Sequence, residues 1–205
     1  VRGLFNAKAR EDQNYRFGWA VIVGTLPIMF VGYALKDQIQ TGFRSLWYVG
    51  FALLLWSGVM YAIDQTAKLN RHRESTNWKD TLFIGIVQCL ALIPGVSRSG
   101  ATMSAGLFRG FDRVTVTKLS FFLSIPALLA AGAYESVTKY KDISDGVGWA
   151  PTIVATIVSF FVAYAAVAWL LRYIAHHNLT IFVVYRIVLG LLIIGLLSFG
   201  VVSAT

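Results

Sequence analysis

Nine consecutive residues, Pro94-Gly95-Val96-Ser97-Arg98-Ser99-Gly100-Ala101-Thr102, hold most of the chemistry this sequence can do. Arg98 is a permanent cation whose planar fork of donors matches phosphate oxygens. Ser97, Ser99 and Thr102 bring hydroxyls, and Gly95 and Gly100 let backbone amides come close to a ligand. A helix beginning near Ser99 would aim its free N–H groups and positive dipole end at the same place. The pattern predicts a phosphate site. Arg98 is its electrostatic clamp, Ser97 and Ser99 are binders or nucleophile, and Thr102 is a further binder. The nucleophile stays open between the two serines, a water and a residue elsewhere. Gln88, about one and a half helical turns before Pro94, is placed either lining the same cavity or packed as a helix polar group.

The elements that must position these residues are membrane spans. Of the 205 residues 57% are hydrophobic and only 14% charged, against roughly a quarter charged in a soluble domain. Mean hydropathy is +0.64. This composition excludes a disordered chain and argues against a soluble globular one. The net charge of +8 belongs to cytosol-facing loops and anionic lipid head groups. No basic face on a soluble fold is visible, so no nucleic-acid partner is expected. The single cysteine, Cys89, excludes an internal disulfide and any cysteine-based metal site.

A helix needs about 20 apolar residues to cross a bilayer. Phe17–Leu35, Ser45–Ile63, Leu119–Tyr134 and Ala150–Leu171 are uncharged runs of that order, and Leu179–Ser203 is a fifth, broken only by Arg186. Thr81–Phe108 differs. Pro94 and Gly95 interrupt it, and serines and an arginine are costly in hydrocarbon. Thr81–Ile93 alone is too short to cross. The segment reads as a re-entrant hairpin: a half-helix in, a polar turn at depth, a half-helix out. Such backbone survives only where protein or a water-filled cavity surrounds it. Loop charges favour the hairpin over a full crossing. They place twelve lysines and arginines inside against four outside, rather than ten against six. The fold expected over residues 1–205 is therefore a single all-α, polytopic membrane helix bundle with a re-entrant hairpin.

The remaining polar residues read plainly. Small residues at i, i+4 (Gly100/Ser104, Ala101/Ala105, Thr102/Gly106) suit close helix packing. Arg186, with Tyr185, is either a second anion contact or a snorkelling interfacial anchor, and the anchor is favoured. His176-His177 resembles a metal pair only superficially, because adjacent helical side chains diverge. Lys68–Lys79 and Arg109–Lys118 read as solvated cytosolic loops.

The run Gln88-Cys89-Leu90-Ala91-Leu92-Ile93-Pro94-Gly95-Val96-Ser97-Arg98-Ser99-Gly100-Ala101-Thr102 closely resembles the second signature of the undecaprenyl-diphosphatase family, the bacterial bacitracin-resistance phosphatases. Phe122–Pro126 and Tyr185-Arg186 resemble that family too. The likeness covers essentially the whole chain as the C-terminal three quarters of such a protein. It implies a bacterial plasma-membrane enzyme that removes the terminal phosphate of undecaprenyl diphosphate and recycles the carrier for peptidoglycan synthesis. It also implies a polyprenyl diphosphate and membrane lipids as partners, with a homodimer in prospect. A divalent cation, Mg or Ca, follows from the resemblance alone; no ligand set for it is visible. The family carries an earlier re-entrant motif with glutamates, a serine pair and a histidine, which makes the present hairpin one half of an inverted-repeat architecture. Nothing here matches that motif: the only glutamates are Glu11, Glu74 and Glu135, none in an apolar run. It is expected upstream of Val1. The alternatives are a lipid-phosphate or anion transporter or flippase and a non-catalytic truncated membrane subunit. The acid-phosphatase-like lipid phosphatases need a His-x-x-x-Asp that is absent.

Overall fold

A computed structural model describes residues 13–36, 38–39 and 45–204. The polar lead with Arg2, Lys8 and Arg10, and the loop residue Arg44, lie outside the described residues. The described chain is helical: α1 (Gln13–Ala34), α2 (Leu46–Thr66), α3 (Trp78–Gln88), α4 (Arg98–Phe108), α5 (Arg113–Thr138), the short α6 (Tyr140–Asp145), α7 (Trp149–Ile174) and α8 (Thr180–Ser198). A 3-10 turn, Cys89–Leu92, prolongs α3 to the bend. Helices α1, α2, α5, α7 and α8 are long and apolar enough to cross a membrane. Length and apolarity locate them as the composition predicts. The ends differ: α5 runs past the Leu119–Tyr134 expectation in both directions, and α8 stops at Ser198.

Two packing units set the frame. Helix α1 lies against α3 and α2 against α8. The α1–α3 approach is close enough that a Cβ on Gly85 would stand 1.9 Å from the Gly24 carbonyl oxygen. Thr81 Oγ1 donates to Ala20 O across it at 2.6 Å. Thr25 Oγ1 reaches Leu123 O of α5 at 3.3 Å, one turn before Pro126, which lies inside the continuous helix and lacks an N–H to donate. One core cluster gathers Met60, Met103, Leu107 and Val183; the other gathers Phe17, Ile84, Leu119 and Leu123. Helix α7 leaves nearly its whole length bare and buries only Ile174.

At one end of the bundle the connecting segments are pinned: Lys68–Lys79 is exposed or half-exposed as expected of a loop, whereas Arg109–Lys118 is corrected, since α5 begins at Arg113 and buries Thr115, Val116 and Thr117. Asp80 is fully buried. Its two oxygens accept from Arg71 (2.6 Å) and Arg109 (2.7 Å), which flank α3 and α4. Asp64 of α2 accepts from Arg113 Nε at 2.7 Å and from the Leu179 amide at 3.1 Å. His72 meets Asp112 at 2.9 Å. Backbone bonds Arg71 N to Gly110 O and Asp112 N to Arg71 O lock the two loops together. These arginines are ion-paired because a carboxylate in a buried position requires a partner. Asp80 also closes a capping box with Asn77 on α3. Burial alone would raise its carboxyl pKa; hydrogen bonds from Arg71 and Arg109 outweigh this and hold it below the ordinary range. Asp112 follows the same logic: burial raises it, and bonds from Thr115 and His72 pull it below.

Candidate functional site: a polar bend between two half-helices

Helices α3 and α4 begin and end at the same end of the bundle. Asp80 near the start of α3 and Arg109 just after α4 share a bond. Between them the chain turns sharply at 93–97. Ile93 is extended (ψ 118°), as the residue before a proline prefers. Gly95 then takes φ +99° and Ser97 φ +72°. Glycine at 95 serves two needs: the positive φ, and contact with α2, where a Cβ would lie 2.6 Å from Val49 O. Ser97 has no such freedom, and a non-glycine residue held there costs about 1–3 kcal/mol unless its surroundings fix it. Its partners are local: Ser97 O accepts from Ala101 N at 2.9 Å. Ser97 Oγ accepts from Gly100 N at 3.3 Å and so caps α4.

The residues expected to form one site fall into four positions. Arg98, the first residue of α4, lines an apolar cleft of about 560 Å³ between α1 and α5. The cleft walls include Met29, Gly32 and Tyr33 of α1 and Ala127, Leu128 and Ala131 of α5. The Arg98 guanidinium has no hydrogen-bond or ion-pair partner among the described residues. Glu135, the one carboxylate on the cleft among the described residues, pairs with Lys139 at 3.0 Å. Lys36, also on the cleft, donates to the Tyr134 hydroxyl at 3.2 Å.

Ser97, Ser99 and Gly100 line a different cavity, of about 200 Å³, together with Tyr185 and Arg186 of α8. The two serine oxygens are 3.3 Å apart. Thr102 is buried with its hydroxyl engaged by Arg98 O, Ser99 O and Ser120 Oγ, the last at 2.7 Å. It seats α4 on α5. Gln88 is completely buried and lines neither cavity. Its amide nitrogen and oxygen both lack partners among the described residues.

Arg186 corrects the expectation of a snorkelling anchor. It is 8% exposed, and its guanidinium turns inward to the bend. Nη2 donates to Gly95 O (2.7 Å) and Val96 O (3.1 Å), and Nε to Ser57 Oγ (3.2 Å). The sequence offered no local sign of this, because the acceptors are backbone carbonyls some ninety residues away. As for a divalent cation, no group of three or more His, Cys, Asp or Glu is gathered among the described residues. The bend presents hydroxyls and a guanidinium without a carboxylate, so its residues do not fit one.

A bend between two helices, lined by a cation with no partner among the described residues and opening on an apolar cleft, suits an amphiphile with a phosphate head. Comparison with known proteins agrees with that chemistry. The family model described as Bacitracin resistance protein BacA matches residues 1–192. Undecaprenyl-diphosphatase 3 of Frankia casuarinae is 62% identical over 204 residues, covering 100% of this chain and 73% of the relative. An undecaprenyl-diphosphatase of Cutibacterium acnes is 50% identical, over 99% of this chain and 74% of the relative. One from a Mycobacterium species is 45% identical, over 99% and 74%.

Proposed function

Because the chain belongs to the BacA family of bacitracin resistance proteins, we propose that the polar bend is where it acts on its lipid diphosphate. The protein is a multi-pass bacterial membrane hydrolase. It converts undecaprenyl diphosphate to undecaprenyl phosphate and inorganic phosphate, which returns the carrier to cell-wall synthesis and accounts for bacitracin resistance.

The observation that carries the site assignment is the Arg98 guanidinium, without a partner among the described residues, facing an apolar cleft. A prenyl tail fits between α1 and α5, and its diphosphate then meets Arg98. An intramembrane charge without a protein partner is costly, and a phosphate anion removes that cost. Phosphoryl transfer is governed by positioning and neutralisation of charge on the equatorial oxygens. A bidentate guanidinium supplies both. In the reaction an oxygen nucleophile bonds to the terminal phosphorus, the bond from that phosphorus to the bridging oxygen breaks, and the lipid phosphate departs. Ser99, exposed, has the freer hydroxyl of the serine pair, since Ser97 Oγ caps α4. Gly95 and Gly100 shape the backbone.

The common end shared by α3 and α4, with Asp80 bonded to Arg109, supports entry and exit of this segment on one side, as in a re-entrant hairpin. As protein partner we propose a second copy of the chain, supported by the bare apolar length of α7. A monomer by light scattering of the detergent-solubilised protein would overturn that. The reading as a whole is tested by phosphate release from undecaprenyl diphosphate in vesicles. Transfer of the lipid between leaflets without phosphate release would replace it with transport.

A further inference from the structure

We infer that Arg186 is a positioning residue: it holds the backbone of the bend in the form that presents Arg98 and Ser99. The inference rests on the bend being the reaction site. A helix broken at depth frees carbonyls that neither water nor the next turn can satisfy, and Gly95 O and Val96 O are two such groups. Both are taken by one nitrogen of Arg186. The guanidinium is itself fixed by Ser57, whose hydroxyl donates to Leu53 O at 2.6 Å and accepts from Arg186 Nε. The chain Leu53–Ser57–Arg186 thus ties α2 and α8 to the two residues immediately before Ser97. Those two carbonyls precede the one left-handed, non-glycine residue of the bend. Ser97 caps α4, so its conformation sets the direction in which Arg98 and Ser99 leave the helix start. Losing the clamp frees Gly95 and Val96 to rotate and lets Ser97 relax to negative φ. The cation at 98 then swings without any residue at the reaction centre having changed.

A second role competes on the same geometry, since Arg186 also lines the cavity of Ser97 and Ser99 and could bind phosphate directly. The kinetic split separates the two. In the full-length protein, Arg186→Gln should lower kcat about a hundredfold, the scale of a misplaced reacting group, with KM for undecaprenyl diphosphate nearly unchanged. Arg186→Lys keeps the charge but not the fork, and should recover only a small part of the lost rate. Cys89, in the turn leading into the bend, reports the backbone. Its alkylation by a maleimide should speed up in Arg186→Gln and stay at the parental rate in Arg98→Ala. Ser57→Ala, removing one bond of three, serves if Arg186→Gln does not fold; it should cost about fivefold in kcat, and no loss overturns the inference. A rise in KM with kcat kept assigns Arg186 to substrate binding and overturns positioning. Full activity in Arg186→Gln beside a dead Arg98→Ala overturns the inference and leaves the site reading standing. Full activity in both removes the site reading itself.

Discussion

The two polar regions of this molecule treat charge in opposite ways. At the pinned end, each buried carboxylate is matched: Asp80 by Arg71 and Arg109, Asp64 by Arg113 and an amide. At the bend there are two arginines and no acid. Arg186 is satisfied by carbonyls and the Ser57 hydroxyl, and Arg98 by nothing among the described residues. A matched charge is evidence of architecture, since a buried ion pair left without one partner is strongly destabilising. A charge with no match among the described residues invites a ligand instead, which is the reading proposed for Arg98. The contrast separates the end that holds the fold from the turn proposed to hold the substrate, though both are rich in arginine.

The largest effect expected on either side is structural. Asp80→Ala leaves Arg71 and Arg109 facing each other across α3 and α4 without their acid. Breaking a buried pair costs about 3–5 kcal/mol; the low end applies because both arginines reach solvent. Thermal denaturation in detergent should show a clear drop in midpoint, while turnover per folded molecule stays near the parent's. A loss of turnover without a drop in stability would erase the distinction between the two regions.

Arg98→Ala is the converse and comes next. It removes no bond that holds the fold, so the denaturation midpoint should hold. Phosphate release should fall about a hundredfold, as when a preorganised electrostatic donor is removed. Arg98→Lys should rescue only partly because the fork is lost. Near-parental turnover in Arg98→Ala would take the substrate away from the cleft between α1 and α5.

Acid sharpens the same comparison more gently. Asp80 and Asp112 lie below their ordinary value of 3.8 in the folded protein. Each therefore contributes stability above that value and loses it as pH falls through the depressed folded-state value. The denaturation midpoint should be insensitive to these groups near neutrality and decline in the acid range. Asp80→Asn should flatten that decline. A midpoint that instead falls between pH 6 and 8 would point to a group other than these carboxyls.

How much of this could be read in advance follows the range of each interaction. The spans are legible because their length and apolarity are local. The bend is legible because Pro94, Gly95 and Gly100 break a run of hydrophobic residues. Arg98 stands out as a cation within an apolar run. The partition of the bend is not legible. Side chains at 97, 98 and 99 diverge from a start fixed by the positive φ of Ser97, so Arg98 opens on one cavity and the serines on another. No spacing rule reveals that. Nor does any pattern show that Arg71, Arg109 and Arg113, spread along apparently solvated loops, converge on two buried aspartates. Arg186 was visible as a charge in a span, but its acceptors are main-chain atoms, which have no residue identity to read.

The smallest effect bears on the most ambiguous hydroxyl. Thr102 lies within the nine-residue run with the same side-chain chemistry as a phosphate binder, yet its oxygen already meets Ser120 Oγ at 2.7 Å and two carbonyls of its own helix. If that engagement defines its role, Thr102→Val keeps the shape and deletes one buried hydrogen-bonding group. The cost is then about 1 kcal/mol of stability, with turnover close to the parent's and coupling to Ser120→Ala in a double-mutant cycle. A loss of phosphate release approaching that of Arg98→Ala, without coupling to Ser120, would instead mean that the hydroxyl leaves α5 to meet the substrate. The boundary between holding the fold and holding the phosphate would then pass one helical turn further into α4.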